Sequence, residues 1–239
     1  MKPNFFVLCL LLPLGMLGQS VTPSFSRRVT LGLCFSPTLT NRHVRAGTAE
    51  PTENQLVANR NAAERPGWGY DAGLLIQVPL TPRLGVESGL GLSSQLYQTQ
   101  PVSLSWTEVN PAFPRSSITR SRYNFLSIPL RASYTVGWGR WQGVISGGLL
   151  VKLFISQQTI VLIQFATAES RSTSVKFVGV SRILLSPVLS AGLQYAVSPA
   201  IHLRLTPTVQ YALTSLRPGS SYREHLYGSG LQLSLLKQL

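Results

Sequence analysis

The chain has 239 residues, of which 44% are hydrophobic and only 12% charged, about half the charged share of a soluble globular domain. Its mean hydropathy of +0.16 is too apolar for an ordinary soluble domain and too diluted for a bundle of membrane helices, and its Leu, Val and Ile content excludes disorder by composition. The formal net charge is +13, but the basic residues are scattered and not run together, so nucleic acid is excluded as the expected partner.

The first segment carries Lys2, an apolar run from Phe5 to Leu17 and then Gly18, Gln19 and Ser20. That order predicts a secretory signal peptide over residues 1–18, with the exported domain from residue 19 to 239. The apolar run is shorter than the roughly 20 residues a membrane helix needs. Cys9 leaves with the leader, so Cys34 has no cysteine to pair with in the mature chain.

From there to the C-terminus, apolar residues recur with a period of two, the pattern of a strand with one greasy and one polar face. The first strand is expected over Arg28 to Thr38. In the second, Trp68, Tyr70, Ala72, Leu74, Ile76, Val78 and Leu80 alternate with Gly69, Asp71, Gly73 and Gln77. The third sets Leu84, Val86, Leu90 and Leu92 against Gly85, Glu87, Gly89 and Gly91, and the fourth sets Leu126, Ile128, Leu130 and Tyr134 against Ser127, Pro129, Arg131 and Ser133. Further strands follow at Arg140 to Phe154, Ile183 to Ala196, Ile201 to Leu213 and Leu226 to Gln238. Pro187 and Pro207 fall inside the sixth and seventh, where a bulge or register offset is expected.

Eight strands result, and their connections alternate in length. Brief turns at Thr81 to Arg83, Gly137 to Gly139 and Val197 to Pro199 alternate with long stretches at 39–66, 97–122, 155–182 and 214–225. This predicts an all-β, eight-stranded, antiparallel, up-and-down transmembrane β-barrel in the outer membrane, with both termini and the short turns in the periplasm. Tyr97, Tyr123, Tyr211 and Tyr227 near the outer strand ends, and Tyr134, Trp141 and Tyr195 near the inner ends, are expected at the membrane interfaces. The apolar run Thr159 to Phe165 predicts that strands five and six extend past the membrane as a hairpin.

Three passages carry a family resemblance: YNFLSIPLRASYTVG at Tyr123 to Gly137, VESGLGL at Val86 to Leu92, and HLYGSGLQLSL at His225 to Leu235. They resemble the strand motifs of the Bacteroidota outer-membrane β-barrel family that includes PorT. The resemblance implies an integral outer-membrane protein, with protein secretion as the context known for PorT. The role expected of this chain is a non-enzymatic, structural or interaction one in the cell envelope.

The inward faces predict a lumenal charge network of Asp71, Glu87, Arg131, Lys152, His202 and Arg204, because charges enclosed in a narrow barrel must pair. Only two of these are acids, which leaves positive charge to be answered by another partner. Glu224, His225 and Arg223 adjoin in sequence and predict a surface network at an outer strand end. Among the loop arginines, Arg115, Arg120, Arg122, Arg217 and Arg223 are expected to contact lipopolysaccharide phosphates or an envelope partner. No histidine or cysteine grouping has metal-ligand spacing, no Gly-x-Ser-x-Gly elbow is present, and Asp71 is the sole aspartate. Neither a cofactor nor a catalytic set is expected. Three other readings stay open on sequence: a small-solute channel, an outer-membrane enzyme acting on lipids or peptides, against which the missing acid and histidine pairing counts, and a soluble exported barrel carrying a lipophilic ligand.

Overall fold

A computed structural model of the chain describes residues 28–47, 51–106, 113–137, 139–165, 170–175, 179–218 and 222–239. The expected signal peptide lies outside the described residues. The elements in order are β1 (Thr30–Ala46), α1 (Pro51–Ala63), β2 (Glu64–Pro79), β3 (Leu84–Thr99), β4 (Val102–Ser103), β5 (Pro114–Val136), β6 (Trp141–Phe165), β7 (Ser170–Val175), β8 (Ile183–Ala196), β9 (Ile201–Tyr211) and β10 (Tyr222–Gln238). Eight of the strands pair antiparallel with their neighbours, and β1 pairs with β10 to close the ring. The eight-stranded antiparallel barrel expected from the alternation is therefore present. The short β4 and β7 are additions outside the ring, on the edges of β5 and β6.

Register fixes the shape. Thr30 pairs with Gln77, and the partners then run through Glu87, Arg131, Gly148, Val188, Gln210 and Gly228 back to Thr40. One circuit thus climbs ten residues, and eight strands with that stagger tilt by about 40° from the barrel axis. Each strand then presents one face outward and one to the lumen. Leu33, Leu74, Leu90, Leu130, Ile145, Leu189, Val209 and Leu233, one from each barrel strand, are all exposed, Leu189 to 58%. On β2 and the residue that follows it the outward set runs from Trp68 to Leu80, roughly 30 Å along the axis at that tilt. The inward positions between them are buried and mostly polar or small, among them Ser36, Thr38, Ser127, Ser133, Ser146 and Ser190.

The strands are longer than the alternation alone predicts. Residues 39–46, 64–66, 97–99, 114–122 and 155–165, expected as loop, continue the barrel strands. The extension expected of the fifth and sixth strands, β6 and β8, is present on β6 alone: β6 runs on to Phe165 and pairs there with β5, as far as Pro114↔Phe165, and with β7, while β8 begins at Ile183. At the other end of β5 and β6, Gly137 and Gly139 turn the chain with φ of +105° and +84°, a conformation glycine takes without steric cost. The stretch between β1 and β2 holds α1, whose Asn61 side chain donates to the Val44 carbonyl (2.8 Å) and accepts from the Val44 amide (2.9 Å), tying the helix onto the end of β1.

The expected bulges at Pro187 and Pro207 are absent. The β8–β9 register is the same on both sides of Pro207, from Leu189↔Val209 to Leu193↔Leu205, and the β6–β8 register is the same on both sides of Pro187, from Leu153↔Ile183 to Gly147↔Leu189. What the prolines do is interrupt pairing. Pro207 lies across from Ala191, where the ladder skips, and Pro187 lies one residue before the ladder begins at Val188↔Gln210. Both missing donors therefore fall on one seam, which loses hydrogen bonds without slipping. Replacing the exposed Pro207 with Val restores a donor at that seam. A net backbone hydrogen bond contributes about 1 kcal/mol, so the denaturant midpoint of the refolded barrel should rise for Pro207→Val.

Candidate functional site

The lumen is filled in layers. Nearest the short turns, Glu87 sits fully buried between two guanidinium groups. Arg204 Nη1 donates to Glu87 Oε1, and Arg131 Nη2 lies 3.4 Å from Glu87 Oε2. Amides complete the arginines: Arg204 Nε donates to Gln194 Oε1 (3.0 Å), Arg204 Nη2 to Gln77 Oε1 (3.0 Å) and Arg131 Nη1 to Gln232 Oε1 (3.2 Å). Those amides are anchored in turn, Gln77 donating to Ser133 Oγ, Gln194 to Gln142 Oε1 and Gln232 to Ser234 Oγ. Seven of the eight barrel strands contribute a side chain to this cross-brace.

The expected lumenal set is thus divided. Glu87, Arg131 and Arg204 form one network, and direct pairing of Glu87 with Arg131 in the β3–β5 ladder explains why their faces coincide. Lys152 is buried higher in the lumen and is answered by an amide, its Nζ donating to Gln210 Oε1 at 2.7 Å. Asp71 lines a small cavity with Cys34, Ser36, Gly73 and Ser127. Among the described residues, no hydrogen bond or ion pair joins Asp71 or His202 to the Glu87 network. His202 lies low on β9, half-buried, and packs next to the short turn rather than across the lumen. The glutamines that resolve the charge surplus carry no charge signal in the sequence. Only their inward parity marks them.

Above the cavity the lumen is closed by apolar packing. Tyr97 stacks on Tyr123 with ring centroids 5.9 Å apart, Tyr123 on Phe125 at 6.4 Å, and Phe154 meets Phe125 edge-on at 6.1 Å. Leu184, Ala212, Leu216 and Leu226 complete the cluster. Tyr97 and Tyr123, expected at the membrane interface, instead point inward, because their positions on β3 and β5 share the parity of Gln95 and Ser121.

At the end carrying the long connections a second ionic network caps this plug. Arg42 on β1 makes a forked contact with Glu64 on β2, with Nε donating to Oε1 at 3.0 Å and Oε2 at 3.1 Å. Its Nη1 reaches Glu224 Oε2 on β10 at 3.0 Å, and its guanidinium lies 4.5 Å over the Tyr97 ring. Arg217, expected to face outward, turns back to Glu224 with Nε at 3.8 Å. The expected surface network of Glu224, His225 and Arg223 does not form, because the pleat of β10 sends Glu224 inward and its two neighbours outward.

The remaining rim arginines are on the outer wall. Arg115, Arg120 and Arg122 are exposed along β5, the last two beside Trp68, Leu96, Gln98 and Ile160. Arg223 is exposed on β10.

No family model matches the sequence, and no curated relative matches it. Solved structures share the barrel at low identity. Neisserial surface protein A is 7% identical, the match covering 88% of this chain and 97% of that one with a TM-score of 0.47. The outer membrane protease OmpT from Escherichia coli is 10% identical over 92% and 99%, with a TM-score of 0.42. The attachment invasion locus protein Ail of Yersinia pestis is 9% identical over 88% and 99%, with a TM-score of 0.33.

The Glu87 brace generates a stability prediction. Glu87→Gln leaves two buried guanidinium groups without a counter-charge, and breaking a buried pair this way costs about 3 kcal/mol. Asp71→Asn breaks no such pair and should shift stability by less than about 1 kcal/mol. Urea midpoints of the two refolded variants against the parent check the contrast.

Proposed function

We propose that the chain is an integral outer-membrane β-barrel with a non-enzymatic structural or interaction role in the cell envelope. The observation that carries this reading is the continuous band of exposed Leu, Ile, Val and aromatic residues around a closed barrel whose charged side chains at the depth of that band, Glu87, Arg131, Lys152 and Arg204, are inside. A soluble barrel would leave such a surface in water, far beyond the apolar patches monomers tolerate. Hydrocarbon accepts it, since ring closure leaves no unpaired sheet edge within the band. The same observation weighs against a soluble carrier of a lipophilic ligand, whose apolar face would line the interior.

The termini and short turns belong to the periplasmic side and the long connections with the β5–β6 extension to the exterior, the arrangement usual for bacterial barrels. The motif resemblance supports a PorT-like type and a secretion or envelope complex as its setting. Arg115, Arg120, Arg122 and Arg223 project at the outer end of the band and suit lipopolysaccharide phosphates.

Unboiled, detergent-solubilised protein from washed outer membranes should migrate as a compact species that shifts on boiling. Protein found in the soluble periplasm with no shift would end the membrane reading. In planar bilayers the chain should give no conductance steps above the bare membrane, because Tyr123, Phe125 and the Glu87 brace fill the bore. Ohmic steps would instead establish the small-solute channel. Arg115→Gln, Arg120→Gln and Arg122→Gln made together should lower the lipopolysaccharide recovered per barrel, and unchanged recovery would remove those residues from the contact.

A further inference from the structure

The β1–β10 seam closes the barrel, and its outer wall at the long-connection end carries an unusual set of cross-strand partners. Arg45 pairs directly with Arg223, and His43 directly with His225. Both arginines are exposed, while Arg42, three positions before Arg45, and Glu224, next to Arg223, point to the lumen and are committed to each other. Among the described residues neither Arg45 nor Arg223 has a carboxylate partner. Residues directly opposite in an antiparallel pair have Cβ atoms about 5 Å apart, and like charges placed there destabilise the pair. The seam that must close the ring therefore holds its two strands together across a repulsive contact.

The surroundings are ordered. His225 donates Nδ1–H to the Ala212 carbonyl at 2.9 Å and stacks on Tyr211 with centroids 5.7 Å apart. Asn41 donates to the Tyr227 hydroxyl at 3.1 Å one step nearer the apolar band. Arg45, Arg223, His225 and Tyr211 line one concavity on this wall. Directly below it, Leu39 and Leu213 begin the exposed apolar band. Two forked cations above an aromatic ledge and a greasy wall match an anionic headgroup attached to acyl chains, since guanidinium groups bind phosphate through paired, charge-assisted hydrogen bonds.

We propose that Arg45 and Arg223, flanked by His43 and His225 across the β1–β10 seam, bind a phosphate group of an outer-leaflet glycolipid, which neutralises the repulsion at the closing seam. The proposal rests on the membrane reading above and adds a defined lipid site to it.

The full chain would be refolded into phosphatidylethanolamine vesicles that are plain, or contain lipid A with its phosphates, or contain dephosphorylated lipid A. The unfolding midpoint would be read from unboiled gel mobility after heating. A ligand held by the folded state raises that midpoint. Phosphorylated lipid A should raise it by several degrees, and dephosphorylated lipid A or added inorganic phosphate should not. The Arg45→Gln/Arg223→Gln protein should lose at least half of the rise. Arg223→Glu makes the cross-strand pair attractive, so this variant should be more stable than the parent in plain vesicles and respond least to the phosphates. The site is overturned by a full rise in the double variant, by an Arg223→Glu protein that responds like the parent, or by an equal rise with dephosphorylated lipid or inorganic phosphate. A parent chain with no heat-dependent mobility in any vesicle fails the membrane reading itself.

Discussion

A side chain on one of these strands points either into the lumen or onto the outer wall, and a slip of one residue exchanges the two. Closure turns that local rule into a global one. Because the ladder returns to β1 displaced by ten residues, every strand must hold its register for the ring to meet. A slip on β3 alone would carry Glu87 to the outer wall and leave Arg131 and Arg204 enclosed without a counter-ion. The buried ionic brace and the apolar exterior thus select the same register from opposite sides. This is why the two prolines on the β8–β9 seam remove hydrogen bonds and still do not shift it.

The lumen then follows from what eight strands can enclose. That circumference leaves room for side chains and little else. The filling has two ionic layers, around Glu87 and around Arg42, with a small cavity and a stacked aromatic cluster between them. The aromatic cluster resists water because it offers it no partner. The ionic layers occupy their cross-section because each guanidinium is held by several acceptors on different strands. A wall braced in this way is rigid, and its chemistry toward other molecules lies on the outside and at the rim.

Period-two alternation made the barrel legible, and with it the inward pairing of Glu87 with Arg131, since parity can be counted along any uninterrupted strand. The upper lumen was not legible for the same reason. Alternation in apolar character fades where the strands leave the apolar band, so Arg42, Glu64 and Glu224 read as loop although they continue β1, β2 and β10. Tyr97 and Tyr123 were misplaced because an aromatic near a strand end can serve an interface or a plug with equal chemistry. Only counting inward from Gln95 and back from Ser127 separates the two. Helix α1 carries no apolar stripe, and what fixes it is the Asn61 side chain acting on Val44, a contact composition does not reveal.

The pair Arg223 and Glu224 shows how far parity outweighs proximity. Adjacent in sequence, they look like a self-neutralising surface pair. On a pleated strand adjacent side chains face opposite ways, so Glu224 reaches Arg42 and Arg217 while Arg223 stands on the outer wall opposite Arg45. Neutralising Arg42 in the lumen and leaving Arg223 unanswered outside are therefore one event. A one-residue slip that turned Glu224 outward would turn Arg223 inward, so the register that closes the upper lumen with Glu224 is also the one that sets Arg223 opposite Arg45 at the closing seam.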